Sequence, residues 1–147
     1  MELTEHFSYE ALGLAFPARD PRLVENALFL CQQLLEPIRT HYGAVIVNDG
    51  YRAPDQNASV GGKPTSYHLF TDGRAAADIE FYSIGLQDAF DWIRLESELP
   101  FDKVILEGET GNPRCIHLQI DRLNPPRRQA FTGSTGAGTV YPQVEVK

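Results

Sequence analysis

Three short stretches of the chain, AAADIEF (75–81), KVILE (103–107) and RCIHLQI (114–120), constrain the fold more than any other feature. Side chains on a strand point alternately to opposite faces. Ala75, Ala77, Ile79 and Phe81 therefore share one face, and Ala76, Asp78 and Glu80 the other. In the third stretch Ile116, Leu118 and Ile120 oppose Cys115, His117 and Gln119, and in the second Val104 and Leu106 oppose Ile105 and Glu107. A sheet with one apolar face has to bury that face under other elements, which leaves its chemical residues together on the opposite side.

Helices to cover that face are legible. In RDPRLVENALFLCQQLLEPIRTHYG, Asp20 suits a cap, Pro21 the first turn and Gly43 the exit. Val24, Ala27, Leu28, Cys31, Leu34, Leu35 and Ile38 recur at three and four and predict one buried stripe. Ser83 is the expected cap of a second helix through Leu86, Phe90, Trp92 and Ile93, and AVIVN before DGYRAP reads as a further strand. NASVGGKPTS reads as loop. The order helix, strand, strand, helix, strand, strand predicts an α+β fold: a small, mostly antiparallel sheet with helices packed on it. A chain of 147 residues with 42% apolar content suits one such domain. The expected division is a domain over 1–124 and a Pro- and Gly-rich tail over 125–147, where no helical or strand period is visible.

Charge and hydropathy exclude some partners. Thirteen Lys and Arg against twenty Asp and Glu give −7, with the cations scattered, so nucleic acid is not an expected partner. No run approaches a membrane span, and MELTEHFSYEAL lacks the basic and apolar regions of a signal peptide, so the expectation is a chain made in the cytoplasm, its final site left open; separately, a monomer with no membrane partner is expected. Two cysteines, Cys31 and Cys115, are too few for a disulfide framework and read as packed thiols.

If the three strands are neighbours, His68 at the exit of a loop, Asp78 and His117 can meet, with Glu107 nearby. Two imidazoles and a carboxylate are a ligand set used by catalytic zinc, which lowers the pKa of a bound water from about 15.7 to about 7. A neighbouring carboxylate can take that water's proton as it attacks a carbonyl. Spacing alone leaves open the alternative that these are ordinary hydrogen-bonded residues of a strand. His6, in a polar terminus, and His41, at a helix end, read as surface residues.

HFSYEAL, LLEPIR, DGYRAPDQNASVGG, SYH, GRAAADIE, LPFDKVILE and CIHLQI occur in an order and form that resembles the zinc D-alanyl-D-alanine carboxypeptidase family, in its small single-domain branch of bacteria and phages. The resemblance runs from about Leu3 to Asp121 and implies a hedgehog-type α+β fold. It implies zinc held by His68, Asp78 and His117, Glu107 as general base, and Arg52 of GYR gripping a substrate carboxylate through its fork. Ser66 is then a substrate or ligand contact, or the cap of a turn. The chain departs from the family pattern in two places: LFTDGRAAA between His68 and Asp78 is longer than usual, and Cys115 stands where relatives commonly have Trp. The extra length carries an Asp-Gly turn signal, and Asp72 within it is an alternative carboxylate ligand. The implied substrate is a peptidoglycan stem peptide, cut as a carboxypeptidase or an endopeptidase. The competing reading is a non-catalytic zinc module, for example in a phage particle.

Overall fold

Asp20 opens the first helix with its carboxylate accepting from the backbone N–H of Arg22, and Pro21 occupies the first turn. The helix runs to Tyr42 in three pieces: α1 (Pro21–Leu30), a π turn (Cys31–Leu35) and α2 (Glu36–Tyr42). Pro37 accounts for the wide turn. It has no N–H to offer the carbonyl of Gln33 and its ring crowds that group, so the backbone shifts to a longer-range bond from Glu36 N–H to Cys31 O. The chain leaves α2 at Gly43, whose φ of 83° is the left-handed region. The buried stripe is rotated from the expected one: Ala27, Leu30, Cys31, Leu34, Leu35 and Ile38 are fully buried while Val24 and Leu28 are half-buried. Asn26 shares the buried side because its amide donates to Phe70 O, fixing the chain just after His68.

The computed structural model describes residues 1–109, 111–133 and 142–147. It has β1 (Val45–Asp49), β2 (Arg74–Phe81), β3 (Lys103–Glu109), β4 (Asn112–Asp121), β5 (Gln129–Gly133) and β6 (Gln143–Val144) in one sheet ordered β1-β2-β4-β3-β5-β6. Every pairing is antiparallel except β3 with β5. The α+β architecture is thus the one the pattern predicts. Ala75, Ala77, Ile79, Val104, Leu106, Ile116, Leu118 and Ile120 form one core with α1, α2 and the fourth helix below, as strand alternation requires.

Two short helices complete it, α3 (Pro54–Ser59), whose second half takes up the start of the stretch expected to be loop, and α4 (Leu86–Leu95). Pro54 at the first position gives α3 its start. Ser83 does not cap α4: Gly85 is the cap residue, and the Ser83 hydroxyl donates instead to Tyr42 O at 2.6 Å, tying the end of β2 to α2. The segment expected as a tail also differs. Gln129–Gly133 pairs in parallel with β3 and buries Ala130, and Gln143–Val144 pairs with it in turn. A single buried Ala leaves no alternation to read in sequence. The Gly/Thr/Ser-rich residues 134–141 lie outside the described residues. No described helix is long and apolar enough to cross a membrane.

Candidate metal centre

On the face away from the core, register puts Asp78 directly opposite His117, and the next strand sets Glu107 opposite Cys115. His68 arrives from outside the sheet, on the single 3-10 turn Tyr67–Leu69. Ser66 caps that turn, its hydroxyl accepting from His68 N–H at 3.2 Å, so the capping alternative describes its contact. The longer link to β2 is absorbed by the turn over Phe70–Gly73, where Phe70, Asp72 and Gly73 take positive φ. Asp72 lines a separate small cleft with Asp20, Arg22 and Asn26 and does not join the imidazoles.

Ligand atoms of His68, Asp78 and His117 lie within 4.8 Å of one another. Asp78 Oδ1 is 3.5 Å from His68 Nε2 and 3.0 Å from His117 Nδ1, so each ring turns one nitrogen to the carboxylate. The other nitrogen of each ring is anchored: His68 Nδ1 donates to Gly50 O at 2.7 Å, and His117 Nε2 lies 2.9 Å from Gln119 Oε1. An imidazole that donates through one nitrogen keeps a lone pair on the other, which is the arrangement of a metal-ligating histidine. Gly50 can hold this position only without a side chain, since a Cβ there would come within 2.6 Å of Leu12 O. The donor set and its anchoring therefore fit zinc. Burial opposes the charge on Asp78, yet the bonds to His117 and His68 outweigh it and hold the carboxyl well below the usual range. Burial likewise disfavours charged His117, and the Asp78 carboxylate beside it wins, raising its pKa.

Glu107 is 7% exposed, and burial, then the Asp78 charge, raise its pKa, making it a stronger base than a free carboxylate. Cys115 is buried and unpaired with Cys31, and its thiol donates to Glu107 Oε2 at 3.4 Å. Burial pushes that thiol up, as it pushes Cys31 up to about 12, so both stay protonated and packed.

Arg52 reaches the same face but is already engaged. Its Nε donates to Asp49 Oδ2 at 2.6 Å, its NH1 to Asn57 Oδ1 at 3.3 Å, and NH2 stands 4.0 Å from Asp78. A register shift between Val47 and Asp49 makes this possible by bringing Asp49, instead of Asn48, opposite Asp78. Of the other histidines, His6 pairs with Glu36 and His41 stacks on Trp92 with centroids 3.9 Å apart, both exposed and remote from the cluster.

The cluster floors a cleft of about 740 Å³ whose walls carry Arg52, Lys63, Lys103, Arg114 and Arg127 against Asp49, Asp78 and Glu107. On a chain of net charge −7, the cleft is richer in cations than the chain as a whole, with Arg52 and Arg127 paired to Asp49 and Asp102. Three polar residues of this face were not singled out from sequence: Asp102, Gln119 and Arg127. Gln119 Nε2 donates to Asp102 Oδ2 at 2.6 Å, and Arg127 donates to both oxygens of Asp102, at 2.6 and 2.7 Å. The signal available was Gln119's place on the same face as His117. Nothing local pointed to Asp102 or Arg127.

A family model described as Peptidase M15 matches residues 5–118, which include all three residues of the cluster and their neighbour Glu107. No curated protein matches the chain.

Proposed function

The chain belongs to the peptidase M15 family, a family of zinc-dependent peptidases, and on that footing we propose that it hydrolyses peptidoglycan stem peptides, as a D-Ala-D-Ala carboxypeptidase. The observation that carries this reading is the convergence of His68 Nε2, the Asp78 carboxylate and His117 Nδ1 on the open face of the sheet, with a buried Glu107 beside them. His68, Asp78 and His117 would hold the metal. Zinc bound there supplies a Lewis acid that polarises a carbonyl and lowers the pKa of a water. Glu107, with its raised proton affinity, takes the proton of the attacking water and returns it to the leaving amine. The Cys115 thiol holds one Glu107 oxygen in place.

The cationic walls support a substrate with free carboxylates, which a stem peptide carries at its end. Arg52 is the proposed reader of the terminal carboxylate, oriented by Asp49 and Asn57, with Ser66 lining the same cleft. An endopeptidase is the second reading, and the engagement of the Arg52 fork by Asp49 and Asn57 is what favours it. Peptides ending in D-Ala-D-Ala, as free acid and as C-terminal amide, distinguish the two. The carboxypeptidase reading expects D-alanine release from the acid and little from the amide. Equal cleavage of both moves the assignment to endopeptidase, and cleavage of neither peptide nor of purified peptidoglycan favours a zinc module without activity.

A further inference from the structure

The two imidazoles of the metal centre are anchored in different ways. His68 Nδ1 donates to a backbone carbonyl, which has only one possible role. His117 Nε2 faces a side-chain amide, Gln119, which could present either its oxygen or its NH2. We propose that Arg127, Asp102 and Gln119 form a relay of positioning residues that locks His117 in the Nε2–H tautomer, so that Nδ1 is the nitrogen it offers to a metal. This rests on the zinc reading above.

The relay works by elimination of donors and acceptors. Asp102 is 2% exposed and ionised, its pKa lowered against the cost of burial by bonds from Arg127 and Gln119, and a carboxylate only accepts. It takes Nε and NH2 of Arg127 in a two-point fork, the hydroxyl of Tyr67, and Nε2 of Gln119 at 2.6 Å. With its nitrogen committed to Asp102, Gln119 can turn only Oε1 to His117, and an acceptor 2.9 Å from Nε2 requires the proton to sit there. In the metal-free protein Nδ1 donates to the Asp78 carboxylate at 3.0 Å, so Nδ1 is the nitrogen whose proton a metal would displace while Nε2 keeps its own. Asp102 itself cannot drift, because its N–H donates to Gln119 O and its carbonyl accepts from Gln129 N–H at the start of β5. Arg127 lies beyond residues 5–118, so the segment after the family match is wired to the metal centre.

Asp102→Asn keeps the shape and inverts the logic. With the new oxygen kept on Arg127 Nε, the new NH2 takes the Oδ2 place, where it breaks the second arm of the Arg127 fork and donates to a flipped Gln119, whose own NH2 then demands Nδ1–H on His117. Zinc affinity of the metal-stripped full chain, measured by competition with a chromogenic chelator, should fall by the ~10- to 100-fold typical of lost support behind a metal-ligating histidine. Arg127→Gln, at a side chain that is 49% exposed and so tolerant of change, should move it in the same direction, with Arg127→Lys restoring part of the loss. If Asp102→Asn fails to fold, Arg127→Gln decides. On zinc-loaded wild type, long-range ¹H–¹⁵N NMR should find the His117 proton on Nε2. Unchanged affinity in the variants, or a proton on Nδ1, overturns this inference alone. Wild type that takes up no zinc overturns the zinc reading and this inference with it.

Discussion

Side chains on both faces of the β2–β4–β3 sheet are largely buried, one set in the core and the other on the floor of a cleft, and they are held by different physics. On one face Ile116, Leu118 and Val104 are fully buried among apolar neighbours and need only volume and shape. On the other, His117 at 8%, Glu107 at 7%, Gln119 at 7% and Asp102 at 2% exposure are nearly as buried, and each is tolerable only because a partner completes its bonding. Adjacent residues of one strand face opposite ways: Leu118 into the apolar core, His117 and Gln119 into the proposed metal site. Substitutions on the two faces should therefore separate into changes of stability and changes of chemistry.

The largest expected effect is at the polar face. Glu107→Gln preserves shape and removes the base, so hydrolysis should drop by ~10²- to 10⁴-fold while zinc content and melting temperature stay close to wild type. A steady-state assay beside a thermal melt checks both, and an unchanged rate would remove Glu107 from the mechanism. Leu118→Ala, one residue from His117 but on the dry face, should cost about 2–5 kcal/mol of folding free energy by transfer and cavity terms. Zinc per folded chain should be unaltered. A denaturant titration with metal analysis tests this, and loss of zinc without loss of stability would mean the faces are not separable.

The faces were not equally legible in the sequence. Alternation identified Ala75, Ile79, Ile116 and Leu118 as core and Asp78, His117 and Glu107 as their opposites, because period-2 patterning is a local property. The partners of the polar face are set by non-local pairing. Register places Asp49 by a bulge, the parallel strand β5 brings Arg127 to Asp102, and neither leaves a pattern in neighbouring residues. The Ser83 hydroxyl was misread for a related reason: a serine ahead of a helix looks like a cap, and only the distant Tyr42 carbonyl reveals its other use.

A smaller effect is expected at Arg52. Arg52→Ala should reduce kcat/KM for a free-acid peptide by about 1.5–3 kcal/mol, with poor rescue by Lys, and the difference should vanish on the amidated peptide. An equal loss on both would show that Arg52 serves Asp49 and Asn57 instead of substrate.

The smallest expected effect is a pH trend in the metal-free protein. His117 has a raised folded pKa, so its contribution is complete below the ordinary value of about 6.5 and is lost as pH rises through the folded value. Asp78 has a lowered one, so its contribution is complete above about 3.9 and is lost as pH falls through the folded value. Metal-free protein should thus melt highest between about pH 4 and 6.5 and lower toward pH 8, whereas zinc, which needs unprotonated ligands, should stabilise more as pH rises. Parallel profiles with and without zinc would show that the metal and the His117–Asp78 pair do not compete.

The central claim, that the polar face is a zinc site built on His68, Asp78 and His117, is tested most directly by elemental analysis of protein purified without added metal, wild type beside His117→Ala. The account predicts one zinc per wild-type chain and little or none in His117→Ala that is still folded by circular dichroism. No zinc in wild type, or a full complement in the variant, contradicts it.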